Sequence, residues 1–149
     1  MNKIKLGVIA ALAMTVAGVG TVAALDNAQS IATRKALMGS VGAHMASLKE
    51  ASEAGNAAAA ERHANTIARL LSVAAGLFPK GSGPEAGTTK AKPDIWAKWD
   101  DFNKAGANAA AAATAAAAAA KTGDKAKMMA AFGDVGKGCG GCHTPFRAQ

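Results

Sequence analysis

The chain has 149 residues, enough for one domain, and half of it is apolar, but much of that half is alanine, with four Phe, two Trp and no Tyr. Alanine buries little area, so side chains alone would make a thin core, and a bound cofactor is one source of the missing apolar contact. Scarce β-branched and aromatic residues disfavour a β sandwich or barrel, and two cysteines exclude a disulfide-stapled miniprotein, leaving an all-α fold with a formal charge of +7.

Residues 1–24 read as an export signal. Lys3 and Lys5 precede an apolar run from Leu6 to Val22, which closes on the small residues Ala23 and Ala24. A retained anchor is the alternative, but the run is about 17 residues long and diluted by Gly, Ala and Thr, near the lower limit for spanning. Cleavage after Ala24 would leave residues 25–149 as the mature domain. It would carry +5 once the two leader lysines are removed, and no second span follows. The expected compartment is a bacterial periplasm.

Four helical segments are expected beyond the leader. In the first, from about Asn27 to Ala51, Arg34, Met38, Val41, Met45 and Leu48 fall on one stripe. The second, from about Asn56 to Phe78, aligns Ala60, Ile67, Leu70, Ala74 and Leu77. Gly, Pro, Thr and Lys between Pro79 and Pro93 mark a loop. A third helix is expected from Asp94 through Ile95, Trp99 and Phe102 into an alanine tract ending at Ala120, about 42 Å long if unbroken. The fourth starts after Thr122-Gly123, with Asp124 as its cap. It carries Met128, Phe132, Val135, Cys139, Cys142 and Phe146 on one face. Short links within the first and last helix pairs favour an antiparallel four-helix bundle.

The chemistry lies in Cys139-Gly140-Gly141-Cys142-His143. Two thiols three residues apart lie on one side of a helical turn, where they can bond the two vinyl groups of one porphyrin. The next residue's imidazole can then reach the iron. A structural zinc site would need a second Cys/His pair, and none is suitably spaced. A thioredoxin-like dithiol would need a βαβ setting. A disulfide fits an exported chain but leaves His143 unexplained. One covalent haem c accounts for all three residues.

The chain resembles the class II cytochromes c, the cytochrome c′ family, over residues 27–149. The resemblance is carried by Arg34-Lys35-Ala36-Leu37-Met38, by Lys92-Pro93-Asp94-Ile95-Trp96, and by Ala131-Phe132-Gly133-Asp134-Val135-Gly136 leading into Cys139–His143 and Phe146-Arg147. It implies thioethers at Cys139 and Cys142 and a proximal iron ligand at His143. Arg34 would lie at the haem edge, bonded to a propionate; Arg147 is a weaker candidate. Met38 stands where the family places the residue facing the distal side. In some members a methionine there binds iron and makes a low-spin electron carrier; in others the iron stays five-coordinate and binds NO or CO. Met38-Gly39-Ser40-Val41-Gly42 resembles the first kind, so His143/Met38 ligation is the main expectation and an open, gas-binding site the alternative.

Met45, Met128 and Met129 lie too far along their helices to share the iron, and His44 and His63 match no family ligand position. Trp96, Trp99, Phe102, Phe132 and Phe146 are expected in pocket and core packing. No His, Asp or Glu stands beside Met38 on its stripe, so acid–base enzymology is not expected. The basic charge suits an acidic redox partner, and nothing resembles a nucleic-acid reader. The resemblance also implies that a homodimer through the first two helices can form.

Overall fold

Capping chemistry places the helix ends. The computed structural model describes residues 25–149, so the expected leader, 1–24, lies outside the described residues. Helix α1 (Asn27–Glu53) opens on a reciprocal pair: the Gln29 backbone N–H donates to Asp26 Oδ1 at 2.7 Å, and the Asp26 N–H donates to Gln29 Oε1 at 3.0 Å. Gly55, at φ +70°, reverses the chain into α2 (Ala57–Ala74), which Asn56 caps. The same device recurs at Gly123, φ +69°, before α5 (Lys125–Phe146). There Asp124 Oδ1 accepts from the N–H groups of Ala126 and Lys127 at 2.9 and 3.1 Å.

Two sequence expectations about helix extent are corrected. The second helix ends at Ala74 and passes through a 3-10 turn, Ala75–Leu77, because Pro79 disfavours a helical Phe78, which sits at φ −121° and ψ 55°. The third is not continuous. A single turn, α3 (Asp94–Ala97), is separated from α4 (Trp99–Ala120) by Lys98 at φ −124° and ψ 51°. The Trp96 indole N–H donates to the carbonyls of Phe78 and Pro79, at 3.1 and 3.0 Å, which ties α3 to the preceding loop instead of to the axis of α4. Trp99 follows the break and is 39% exposed, so it does not join the core as expected.

Helices α1, α2, α4 and α5 form the expected all-α, antiparallel four-helix bundle. Of the four neighbouring pairs, contacts are densest between α2 and α4 and between α4 and α5, and sparsest between α1 and α5, the pair that closes the square. Among the described residues the only β-type pairing is an isolated antiparallel bridge, Ala91 with Arg147.

Two apolar clusters fill the bundle. The larger includes Val41, Leu48, Ile67, Met128 and Val135, together with buried alanines of α2 and α4. The smaller is made by Ile95, Phe102 and Phe146. Alanine lets helices approach closely: a Cβ built on Gly138 would lie 3.0 Å from the Ala109 backbone of α4. Replacing Gly138 with Val is therefore expected to lower stability by about 1–3 kcal/mol through overpacking. Gly133→Ala, whose new methyl meets nothing within 4 Å, should instead gain about 0.5–1 kcal/mol in helix propensity. Denaturant midpoints of the two variants, moving in opposite directions, check this reading.

Candidate cofactor site

Helix α5 presents the attachment residues in its last two turns. Cys139 and Cys142 are half-buried free thiols, and each packs on a different part of the core: Cys139 on the larger cluster, Cys142 on the smaller. Burial raises both thiols above their usual values, keeping them protonated and apolar. His143 follows at the open end. Its imidazole is held below the usual value, first by the protein atoms that crowd it and then by the Arg147 charge, which favours the neutral, ligating form.

The end of α5 is fixed from outside. Lys92 N–H donates to the Phe146 carbonyl at 3.0 Å and Ala148 N–H to the Lys90 carbonyl at 2.8 Å, clamping residues 90–92 along the C-terminus. Lys92 Nζ adds a bond to the Thr144 carbonyl at 3.2 Å. A shallow groove beside this clamp is lined by Lys92, Asp94, Lys98, Asp101, Gly141 and Pro145. Its rim mixes both signs of charge.

Arg34, expected from the sequence at the haem edge, anchors the loop that follows α2. It is 3% exposed, and its guanidinium lies 4.6 Å from the Phe78 ring centroid. Nη1 donates to Ser82 Oγ at 2.8 Å and to the Leu77 carbonyl at 3.4 Å. Nη2 donates to the Ser82 carbonyl at 2.6 Å and to Thr89 Oγ1 at 2.9 Å. Burial lowers the pKa of Arg34, and the Glu85 carboxylate partly offsets that. Arg34 thus folds the 77–89 loop onto α1, a role absent from the sequence reading. Its position on an apolar stripe called for buried acceptors, but nothing marked Ser82 and Thr89 as those acceptors.

An aromatic chain links this clamp to α5. Phe78 meets Phe102 edge-on at 4.8 Å, and Phe102 meets Phe146 at 5.4 Å. Phe102 and Phe146 belong to the cluster against which Cys142 and Phe78 pack. On the α1 side, Leu37 and Val41 join the cluster that holds Cys139. Met38 is half-buried and packs against neither cluster. The structure therefore brings Cys139, Cys142 and His143 together on one helix end, and Leu37, Val41, Met45 and Leu48 of α1 share the larger cluster with Cys139.

The donor set fits a covalent haem c. Two protonated thiols three residues apart, an adjacent neutral-favouring imidazole and apolar walls on both sides match what thioether attachment and iron ligation need. Helix α5, which carries them, meets α1 along the loosest of the bundle's four seams.

Comparison with known proteins agrees. The family model described as Cytochrome C′ matches residues 29–147. A cytochrome c′ from Allochromatium vinosum is 32% identical over 142 residues, spanning 93% of this chain and 92% of that protein. The solved cytochrome c′ from Thermochromatium tepidum superposes with a TM-score of 0.77 at 33% identity, covering 85% of this chain and all of that one. A second solved cytochrome c′, with the same TM-score, identity and coverage, is described as having an unusual ligand-controlled dimer dissociation. Proteins of this family bind one covalent haem c, and Cys139 and Cys142 fit the attachment motif.

Removing the Arg34 charge tests the clamp. Arg34→Met is expected to cost about 2–3 kcal/mol, because it leaves the Ser82 carbonyl and Thr89 hydroxyl without their charged donor. Amide exchange should speed up across residues 77–89 while α4 and the first turns of α5 keep their protection.

Proposed function

The chain belongs to the cytochrome c′ family, and we propose that His143 would be its one protein ligand to iron and that the haem so held would bind small gases such as NO or CO. As a member of that family it is a haem electron-carrying protein. When bound, the haem supplies an iron that can change oxidation state by one electron or take a diatomic ligand. Cys139 and Cys142 would hold the group covalently and His143 would orient it from the same helix. Leu37 and Val41 would wall it with hydrocarbon that excludes water and offers no donor atom.

One packing difference carries the gas-binding reading. Leu37 and Val41 share a cluster with Cys139, whereas Met38, the thioether expected as a second ligand, packs in neither cluster. An aliphatic wall cannot saturate the iron, so a site beside it remains for a small molecule. The ligand-controlled dimer of a solved relative at 33% identity supports the same reading and makes a homodimer part of the proposal. The competing arrangement has Met38 turned inward onto the iron, as its place four residues after Arg34 on the α1 stripe suggests.

The rest of the proposal follows from charge and residue type. Residues 37–41 contain no His, Asp or Glu, so no general acid or base stands there and the chain is read as a carrier and binder, not an enzyme. Redox partners would meet the mixed-charge groove beside Gly141 and Pro145, with the basic mature chain favouring acidic ones. Among the described residues no helix is long and apolar enough to cross a membrane, and the leader at 1–24 supports a periplasmic site of action.

Optical spectra of the haem-loaded protein decide between the two arrangements. The proposal expects a high-spin reduced form whose bands shift on adding CO, and a Met38→Ala variant with the same spectrum. A low-spin form indifferent to CO, converted to a CO-binding form by Met38→Ala, would assign the second ligand to Met38 and leave electron transfer alone.

A further inference from the structure

The seam between α1 and α2 holds a pair of titratable side chains that the haem chemistry does not use. His44 of α1 and His63 of α2 are both half-buried, and their Nδ1 atoms face each other at 2.9 Å. The rings are tilted by 44° with centroids 5.2 Å apart. At that distance the two nitrogens share one proton: one Nδ1 donates and the other accepts. Two protonated rings could not stay so close, because their charges would repel.

The pair lies near the spacing of a chelate. A tetrahedral zinc–imidazole bond is about 2.0–2.1 Å and the ring centre lies about 1.2 Å beyond the nitrogen, so two imidazoles on one Zn²⁺ place their centroids about 5.2 Å apart. The observed centroids stand equally far apart because the rings meet end to end across the 2.9 Å contact, whereas zinc would hold the two nitrogens about 3.3 Å apart. Turning each ring by about 35° and parting the nitrogens by about 0.4 Å would aim both Nδ1 lone pairs at a common tetrahedral cation. The surroundings also suit one. Burial, His44 and the Arg62 charge all hold His63 below its usual value, which leaves its nitrogen unprotonated at neutral pH, while the Glu50 carboxylate lies near enough to act in the opposite sense. Among the described residues no third His, Cys, Asp or Glu completes a metal cluster, so water would fill the remaining positions.

We propose that His44 and His63 form a two-imidazole binding site for a divalent transition-metal ion, Zn²⁺ by ligand type and spacing, bridging α1 and α2. The cation would take the place of the proton now shared between the rings and would cross-link the two helices. Imidazole nitrogen suits Zn²⁺ and excludes Mg²⁺ or Ca²⁺, which take oxygen ligands.

Calorimetric titration of the haem-loaded protein with Zn²⁺ tests this, since Cys139 and Cys142 are then occupied and cannot compete. One-to-one binding at pH 7.5 is expected, falling at least tenfold in each of His44→Gln and His63→Gln, and falling again in the native chain as the pH drops below the ordinary imidazole value of 6.5. Zn²⁺ should also raise the thermal midpoint of the native chain but not of either variant, with unchanged haem spectra showing that both variants fold. Equal Zn²⁺ affinity in the native chain and both variants, or no binding by the native chain, would overturn the proposal and leave the pair as a hydrogen bond only.

Discussion

The small size of alanine is the constraint on which the rest of this structure depends. Ala109, Ala113, Ala116, Ala117 and Ala120 of α4 are all buried, and they let α4 sit close against α2 and α5, with Gly138 meeting Ala109 at backbone distance. That closeness brings much contact and little buried hydrocarbon per residue. The larger side chains are therefore placed where alanine cannot reach across. Val41 and Leu48 of α1 and Val135 of α5 bring larger side chains to the main cluster, and Phe102 and Phe146 form the second, against which Cys142 packs. A flat, apolar, covalently held group is the kind of filling that suits such a bundle, and its attachment residues stand on the last turns of α5.

Arg34 shows how a charge can serve an otherwise apolar assembly. A buried guanidinium is costly unless its donors are used, and here four hydrogen bonds and the face of Phe78 use them. The return is order in a loop whose Gly, Pro and Thr content gives it little reason to fold by itself. Through Phe78, Phe102 and Phe146 that order reaches the C-terminal turns of α5. The backbone clamp at residues 90–92 fixes the same turns from the other side. His143 is thus held at the open end of a helix whose last turns cannot drift.

Local chemistry was legible in the sequence, and long-range pairing was not. Asp124 and Gly123 announced the start of α5, and Cys139, Cys142 and His143 announced their cofactor, because each acts over four residues or fewer. The break at Lys98 was hidden, since its cause is the Trp96 indole reaching back to Phe78 and Pro79 across 17 or 18 residues. The partners of Arg34 were hidden for the same reason: Ser82 and Thr89 lie 48 and 55 residues away. Helical periodicity put Met38 on the stripe with Arg34 and Val41, but a stripe is about 100° wide and cannot separate Leu37 from Met38. Membership of the cluster that also holds Cys139 separates them, and it includes Leu37. His44 and His63, each unremarkable by itself, became a pair only once α1 and α2 were side by side.

The central claim is that α1 meets the attachment site with hydrocarbon and not with a ligand atom. A crystal structure of the haem-loaded ferrous protein tests it most directly. The account predicts porphyrin thioether-linked at Cys139 and Cys142, His143 on the iron, and Leu37 and Val41 against the other face with no protein atom bonded there. A bond from Met38 Sδ to the iron would contradict it.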